Sequence, residues 1–84
     1  MVTGYIEREV IAVAELKDGV LVPVGLVKFG LAGKGLWRRL DPLRDGPETR
    51  SGMVPVRPEL VAAVRYFGRY RTGWIRDGVL LSVG

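Results

Sequence analysis

Apolar and polar positions divide this chain into short runs separated by turn-forming residues, the pattern of a mainly β protein. Gly4 to Leu16 reads as a strand, polar early at Glu7-Arg8-Glu9 and apolar later from Val10 to Ala14. Asp18-Gly19 follows, a hairpin signal because glycine accepts positive φ, and Val20 to Phe29 is the returning strand. Pro23 inside that run cannot donate to a ladder, so it predicts an edge or a bulge. Leu36, Leu40 and Leu43 recur at helical spacing and predict a short helix with one apolar face, ending by Pro42. Arg44 to Val54 has no period and reads as a loop.

The stretch from Val54 to Phe67 is ambiguous on pattern. Pro58 and Glu59 suit the first turn of a helix, with Leu60, Val61 and Val64 on one face. Val61, Val64, Tyr66 and Phe67 are β-formers, and pattern slightly favours a strand. Asp77-Gly78 is a second hairpin signal, with Val79 to Val83 as the closing strand.

Composition narrows the chemistry. The chain has 84 residues, 48% hydrophobic and 26% charged, enough for one domain with a modest core. It contains no cysteine and no histidine. Disulfides, thiolate chemistry and the commonest general base are therefore excluded, and a small-molecule enzyme is poorly supported. No catalytic residue, metal ligand or cofactor site is expected. No run is long enough to span a bilayer and no signal-peptide pattern opens the chain, so a cytoplasmic protein without membrane contact is expected.

The net charge is +4 and unevenly placed. Residues 1–33 carry three basic against four acidic side chains, and residues 34–84 carry ten against five. A basic half on a small domain favours a polyanion partner, the plain alternative being solubility. The run Arg65-Tyr66-Phe67-Gly68-Arg69-Tyr70-Arg71-Thr72-Gly73-Trp74-Ile75-Arg76 interleaves cations with aromatic rings, as backbone-and-stacking contacts to nucleic acid require. Lys34, Arg38, Arg39, Arg57, Arg65, Arg69, Arg71 and Arg76 are the candidate phosphate contacts. Tyr66, Tyr70 and Trp74 are the candidate stacking rings, and Trp37 reads as core packing rather than a stacking surface. If one strand ran through this segment, Arg65, Arg69 and Arg71 would share a face, exposed and close together, unless Gly68 breaks the alternation. Two glycine motifs are decoys. Gly30-Leu31-Ala32-Gly33-Lys34-Gly35 has the wrong spacing for a phosphate loop, and Lys17-Asp18-Gly19 lacks the spacer of a Lys-x-Asp-Gly motif.

Val56-Arg57-Pro58-Glu59-Leu60-Val61-Ala62-Ala63-Val64 resembles the VRPELVAEV signature in the C-terminal domain of ATP-dependent DNA ligases, particularly the bacterial end-joining type. Val2-Thr3-Gly4-Tyr5 resembles the GGY entry to that domain. Val24-Gly25-Leu26-Val27 resembles its VGKVGTGF strand end, and Leu36, Leu40, Pro42 and Leu43 its LxxxLxPL helix. The resemblance spans nearly the whole chain, although only the VRPELV run is specific. It implies an all-β, five-stranded OB-fold barrel with one short helix over residues 1–84. In it the central stretch is a barrel strand and the helix plugs the barrel bottom. It further implies a DNA-binding module of repair or end joining that holds nicked or broken duplex by its backbone, without sequence preference.

Departures from the family pattern bound the activity. Ligases keep the adenylated lysine in a separate domain, and Leu80-Leu81-Ser82-Val83-Gly84 lacks the charges of the family's LRxDK tail. Leu26 stands where relatives carry a lysine, and Ile6-Glu7-Arg8-Glu9 replaces a longer glycine-rich segment. The expectation is a DNA binder that is not catalytic alone and works by itself or with a separate ligase catalytic subunit. The alternative is a small β-barrel that docks a protein partner by an exposed strand edge.

Overall fold

The computed structural model describes all residues from Met1 to Gly84. The first apolar run forms two strands, not the single one expected. β1 (Val2–Ile6) and β2 (Val10–Lys17) pair antiparallel around Glu7-Arg8-Glu9, with Ile6 opposite Val10. Glu7 and Arg8 take left-handed φ of 50° and 57°, a conformation costing about 1–2 kcal/mol per residue. The fold back puts Tyr5 and Ile11 side by side in the core, and that burial offsets the strain.

β3 (Val20–Val27) returns through Asp18-Gly19 as expected. Lys17 faces Val20, and both turn residues have positive φ, 50° and 79°, as a type I′ turn demands. Pro23 meets both of its expectations. β3 is an edge of its sheet, and the register shifts where Val13 and Ala14 face Gly25 and Pro23.

α1 (Leu36–Leu40) continues into a 3-10 turn, Asp41–Leu43. Leu36 and Leu40 are fully buried, and Leu43 packs against the same cluster, so the spacing placed the apolar face correctly. Five residues are too few for a helix to hold itself, so this one is held by the core.

The central stretch is neither one strand nor a helix. β4 (Met53–Pro55) pairs with β1, and the chain then turns at Pro58-Glu59. β5 (Ala62–Arg65) begins beyond that turn. Val56 and Leu60 are buried on either side of it and hold it to β1, through Val56 N–H to Thr3 O (3.1 Å) and Val2 N–H to Leu60 O (3.0 Å). A short hairpin, β6 (Gly68–Arg69) with β7 (Ile75–Arg76), precedes β8 (Val79–Val83). β8 pairs with β5, not β7, so Asp77-Gly78 links two sheets and closes no hairpin. Gly78 is buried, and a Cβ there would lie 3.0 Å from Ile75 Cδ1 and 3.3 Å from Val27 Cγ2. Close packing fixes this glycine; Asp77 takes a left-handed φ of 53° and bends the chain, but the bend joins β7 to a strand of another sheet.

The result is mostly β with one short helix, in a four-stranded antiparallel sheet ordered β3-β2-β1-β4 and two two-stranded sheets. The sheets are open, not closed into the five-stranded barrel expected. Between the first and second sheets there is one parallel bridge, Phe29 with Val79, tied by Leu80 N–H to Phe29 O (2.9 Å). Turn residues at Pro58-Glu59 interrupt the strand that closure would need. A cleft of ≈ 150 Å³ lies between the middle of β2, at Val13-Ala14, and β5, lined by Val13, Val24, Ala62, Val64 and Ile75, with Glu15 its one acidic side chain. No helix is long and apolar enough to cross a membrane.

Candidate nucleic-acid interface

The basic-aromatic segment forms an arm. Phe67 N–H bonds Arg76 O (3.1 Å), Tyr70 N–H bonds Trp74 O (2.8 Å), and Gly73 N–H closes the tip on Tyr70 O (2.9 Å). β5 ends at Arg65 and β6 starts at Gly68, so the strand alternation is broken at Tyr66-Phe67. Arg65, Arg69 and Arg71 are exposed as expected. They do not share one strand face: they belong to a strand end, an arm strand and the arm tip.

Arg69 is the clamp of the arm. Its guanidinium pairs with the Glu15 carboxylate on β2, donates to Gly73 O (3.3 Å) and lies 5.4 Å from the centre of the Tyr66 ring. The Arg69 hydrogen bond holds the Glu15 carboxyl below its ordinary range, and Glu15 in turn raises the Arg69 guanidinium. A carboxyl with a depressed pKa stabilises the fold above its unfolded value and stops doing so as pH falls through the folded one. Glu15→Gln should therefore flatten the acid limb of the stability–pH curve below the ordinary glutamate pKa and leave its neutral-to-alkaline shape unchanged. Urea midpoints measured across that range check it; an acid limb as steep as wild type would reject the clamp.

The other candidate cations divide by whether the chain already uses them. Arg39 donates to Val83 O (3.2 Å) and Gly84 O (2.6 Å). Arg57 pairs with Glu59 (2.7 Å), and Arg76 with Asp77 (3.5 Å). Lys34, Arg38, Arg65 and Arg71 make no ion pair or side-chain hydrogen bond within the chain. Spatially the eight fall into two groups. Arg65, Arg69, Arg71 and Arg76 belong to the arm and its root. Lys34, Arg38 and Arg39 accompany α1, and Arg57 joins them through its N–H to Leu43 O (2.8 Å).

Of the rings, Tyr70 and Trp74 are exposed across the arm tip, and Tyr66 is engaged by Arg69. Trp37 is half-buried, edge-on to Tyr5 with centroids 5.4 Å apart, as core packing implies. Its other contact was not foreseen: the Arg8 guanidinium lies 5.8 Å from its ring centre, held by Asp41 at 2.9 Å. Sequence reasoning also missed Lys28 and Phe29, by assigning them to a strand end. Phe29 is 63% exposed. A lysine–aromatic pair beside a glycine is the same signal that marked Arg65-Tyr66, and it could have found them. A groove of ≈ 330 Å³ is lined by Leu26, Lys28, Phe29, Tyr70, Asp77 and Gly78. A second, of ≈ 390 Å³, runs from Lys28 and Phe29 past Leu31 to Arg8 and Trp37. No group of acidic side chains stands close enough to hold a metal ion. No protein-family model, curated protein or solved structure matches the chain.

Proposed function

We propose that this chain is a small DNA-binding module of OB type, akin to the C-terminal domain of ATP-dependent DNA ligases, acting in repair or end joining. It holds nicked or broken duplex by the backbone, without sequence preference, and has no adenylation centre of its own. The observation that carries this reading is the set of cations the fold leaves unused. Lys34, Arg38, Arg65 and Arg71 have no internal partner, and two of them flank exposed rings on the arm. Paired surface arginines can be spent on the fold; unpaired ones remain available to phosphate.

The order of neighbours supports the OB assignment. β1 lies between β2 and β4, β3 follows β2, and β8 lies beside β5. The end of the β3 run reaches β8 through the Phe29–Val79 bridge. Six strands thus run as β4-β1-β2-β3 and β8-β5, an open arrangement short of a closed barrel, with the Leu36 and Leu40 helix following the third strand in the chain. The arm then joins β5 to β8, where OB modules carry a binding loop. Any ligation would come from a separate adenylation subunit.

Replacing Arg65 and Arg71 together with glutamine should weaken DNA binding uniformly across sequences and lower the salt slope by about 2. Arg69→Gln should act mainly on stability, since that side chain is the clamp. Binding of labelled duplex across a salt series decides it: a folded double variant with unchanged affinity and slope would overturn the assignment of these arginines. The second reading, docking of a protein partner, draws on Phe67, which is 77% exposed, and on the unpaired edge of β5. Absence of DNA binding at low salt would favour it.

A further inference from the structure

The two grooves meet at Lys28 and Phe29, which line both. Together they make a track with Tyr70 beyond one side of Phe29 and Trp37 beyond the other. The Phe29 backbone is fixed by the bridge to Val79 and by Leu80 N–H, yet its ring faces solvent. Such an exposed ring on a rigid mount is a preformed platform, costing little conformational entropy when something stacks on it. Lys28 has no partner in the chain. Asp41 engages only Nη2 of Arg8, at the far end of the track. The acidic Asp77 is matched by Arg76, and Glu9 is the remaining acid of the lining.

We infer that this track takes an unpaired segment of nucleic acid, a single strand or the overhang of a broken end. Bases stack on Phe29 and Tyr70, and phosphates lie against Lys28 and Arg8. The inference rests on the nucleic-acid reading above and adds to it the strand state of the ligand. In a duplex the base faces are covered by their neighbours, so exposed rings have nothing to stack on except at an end. In an unpaired strand every base offers a π-face, and ring-lined basic grooves use it without sequence preference. Arg65 and Arg71 line neither groove, although Arg71 follows Tyr70 in the arm.

The experiment is fluorescence anisotropy at low salt with the full chain and four labelled probes: oligothymidylate, oligouridylate, a blunt duplex, and the same duplex with a single-stranded overhang. Wild type should bind the overhang duplex and a single strand at least about tenfold more tightly than the blunt duplex. Phe29→Ala should remove roughly 5- to 100-fold of the single-strand affinity and leave blunt-duplex binding unchanged, and Tyr70→Ala should lower single-strand affinity over the same range. Both side chains are exposed, and a thermal melt confirms that each variant is folded. A preference between the deoxy and ribo probes, in either direction, upholds the track and names its sugar. Equal affinity for overhang and blunt duplex, or equal losses on both in Phe29→Ala, overturns this inference and leaves the DNA reading standing. No binding to any probe overturns both. Altered sedimentation of the free Phe29→Ala protein with all nucleic-acid binding intact assigns the ring to self-association and also overturns it.

Discussion

Gly30→Ala should be among the most damaging single substitutions in this protein. Gly30 has φ of 78°, and a Cβ there would lie 2.4 Å from the Leu80 carbonyl oxygen and 3.1 Å from the Leu80 nitrogen. Both atoms are backbone, so no rotamer change relieves the clash. The left-handed conformation costs alanine about 1–2 kcal/mol. Forcing apart packed backbone adds about 1–3 kcal/mol. Small domains have only about 5–15 kcal/mol in total, and such a loss should lower Tm by roughly 10–25 °C. The damage would fall on the Phe29–Val79 bridge, which joins the first sheet to β8. Gly33 is the control: its φ is 76°, but nothing lies within 4 Å of its would-be Cβ. Gly33→Ala should carry the strain without the clash. Equal melting losses for the two variants would sink the claim that β8 presses on Gly30.

The contrast between these glycines shows what the chain discloses by itself. Local chemistry was readable wherever one residue type answers one local need. Asp18-Gly19 turned because both positions require positive φ, and Pro23 marked an edge because it has no N–H. Leu36 and Leu40 faced inward because helical spacing puts them on one side. Where pairing is chosen by distant residues, the same signals misled. Asp77-Gly78 has the dipeptide of the first hairpin, yet β8 found β5, with Val64 opposite Leu80, while Ile75 of β7 enters the same core without pairing with β8. Glu7 and Arg8 turn the chain with no glycine or asparagine to announce it.

The candidate site divides in the same way. Its residue types were visible, since cations interleaved with rings need only sequence to be seen. Which cations are available was not visible, because Glu15 and Arg69 are 54 positions apart and meet only when the arm lies on β2. Arg39 is likewise taken by the last two carbonyls of the chain. Phe29 joined the site because folding leaves its ring in solvent between two grooves, and hydropathy reads the same ring as core.

Leu40→Ala should be at least as costly as Gly30→Ala, by a different route. Leu40 has no exposed surface, and Leu36, one helical turn earlier, has almost none. Truncating a fully buried leucine costs about 2–5 kcal/mol, from lost transfer energy and from the cavity left behind. Relaxation into that cavity is limited here, because Leu40 is a fully buried member of the one core cluster, to which strand residues such as Tyr5 and Val27 also belong. A helix of five residues has no intrinsic stability to fall back on, so loss of its main anchor should release the whole turn. Arg39 would then leave Val83 and Gly84, freeing the end of β8. Leu43 lies on the same face but only half-buried, so Leu43→Ala should cost about 1 kcal/mol or less. Urea midpoints for the two variants, with hydrogen exchange on β8, make the comparison. Leu40→Ala should move the midpoint several times further and lose β8 protection. Equal shifts would mean that the helix lies on the surface of the core and does not fill it.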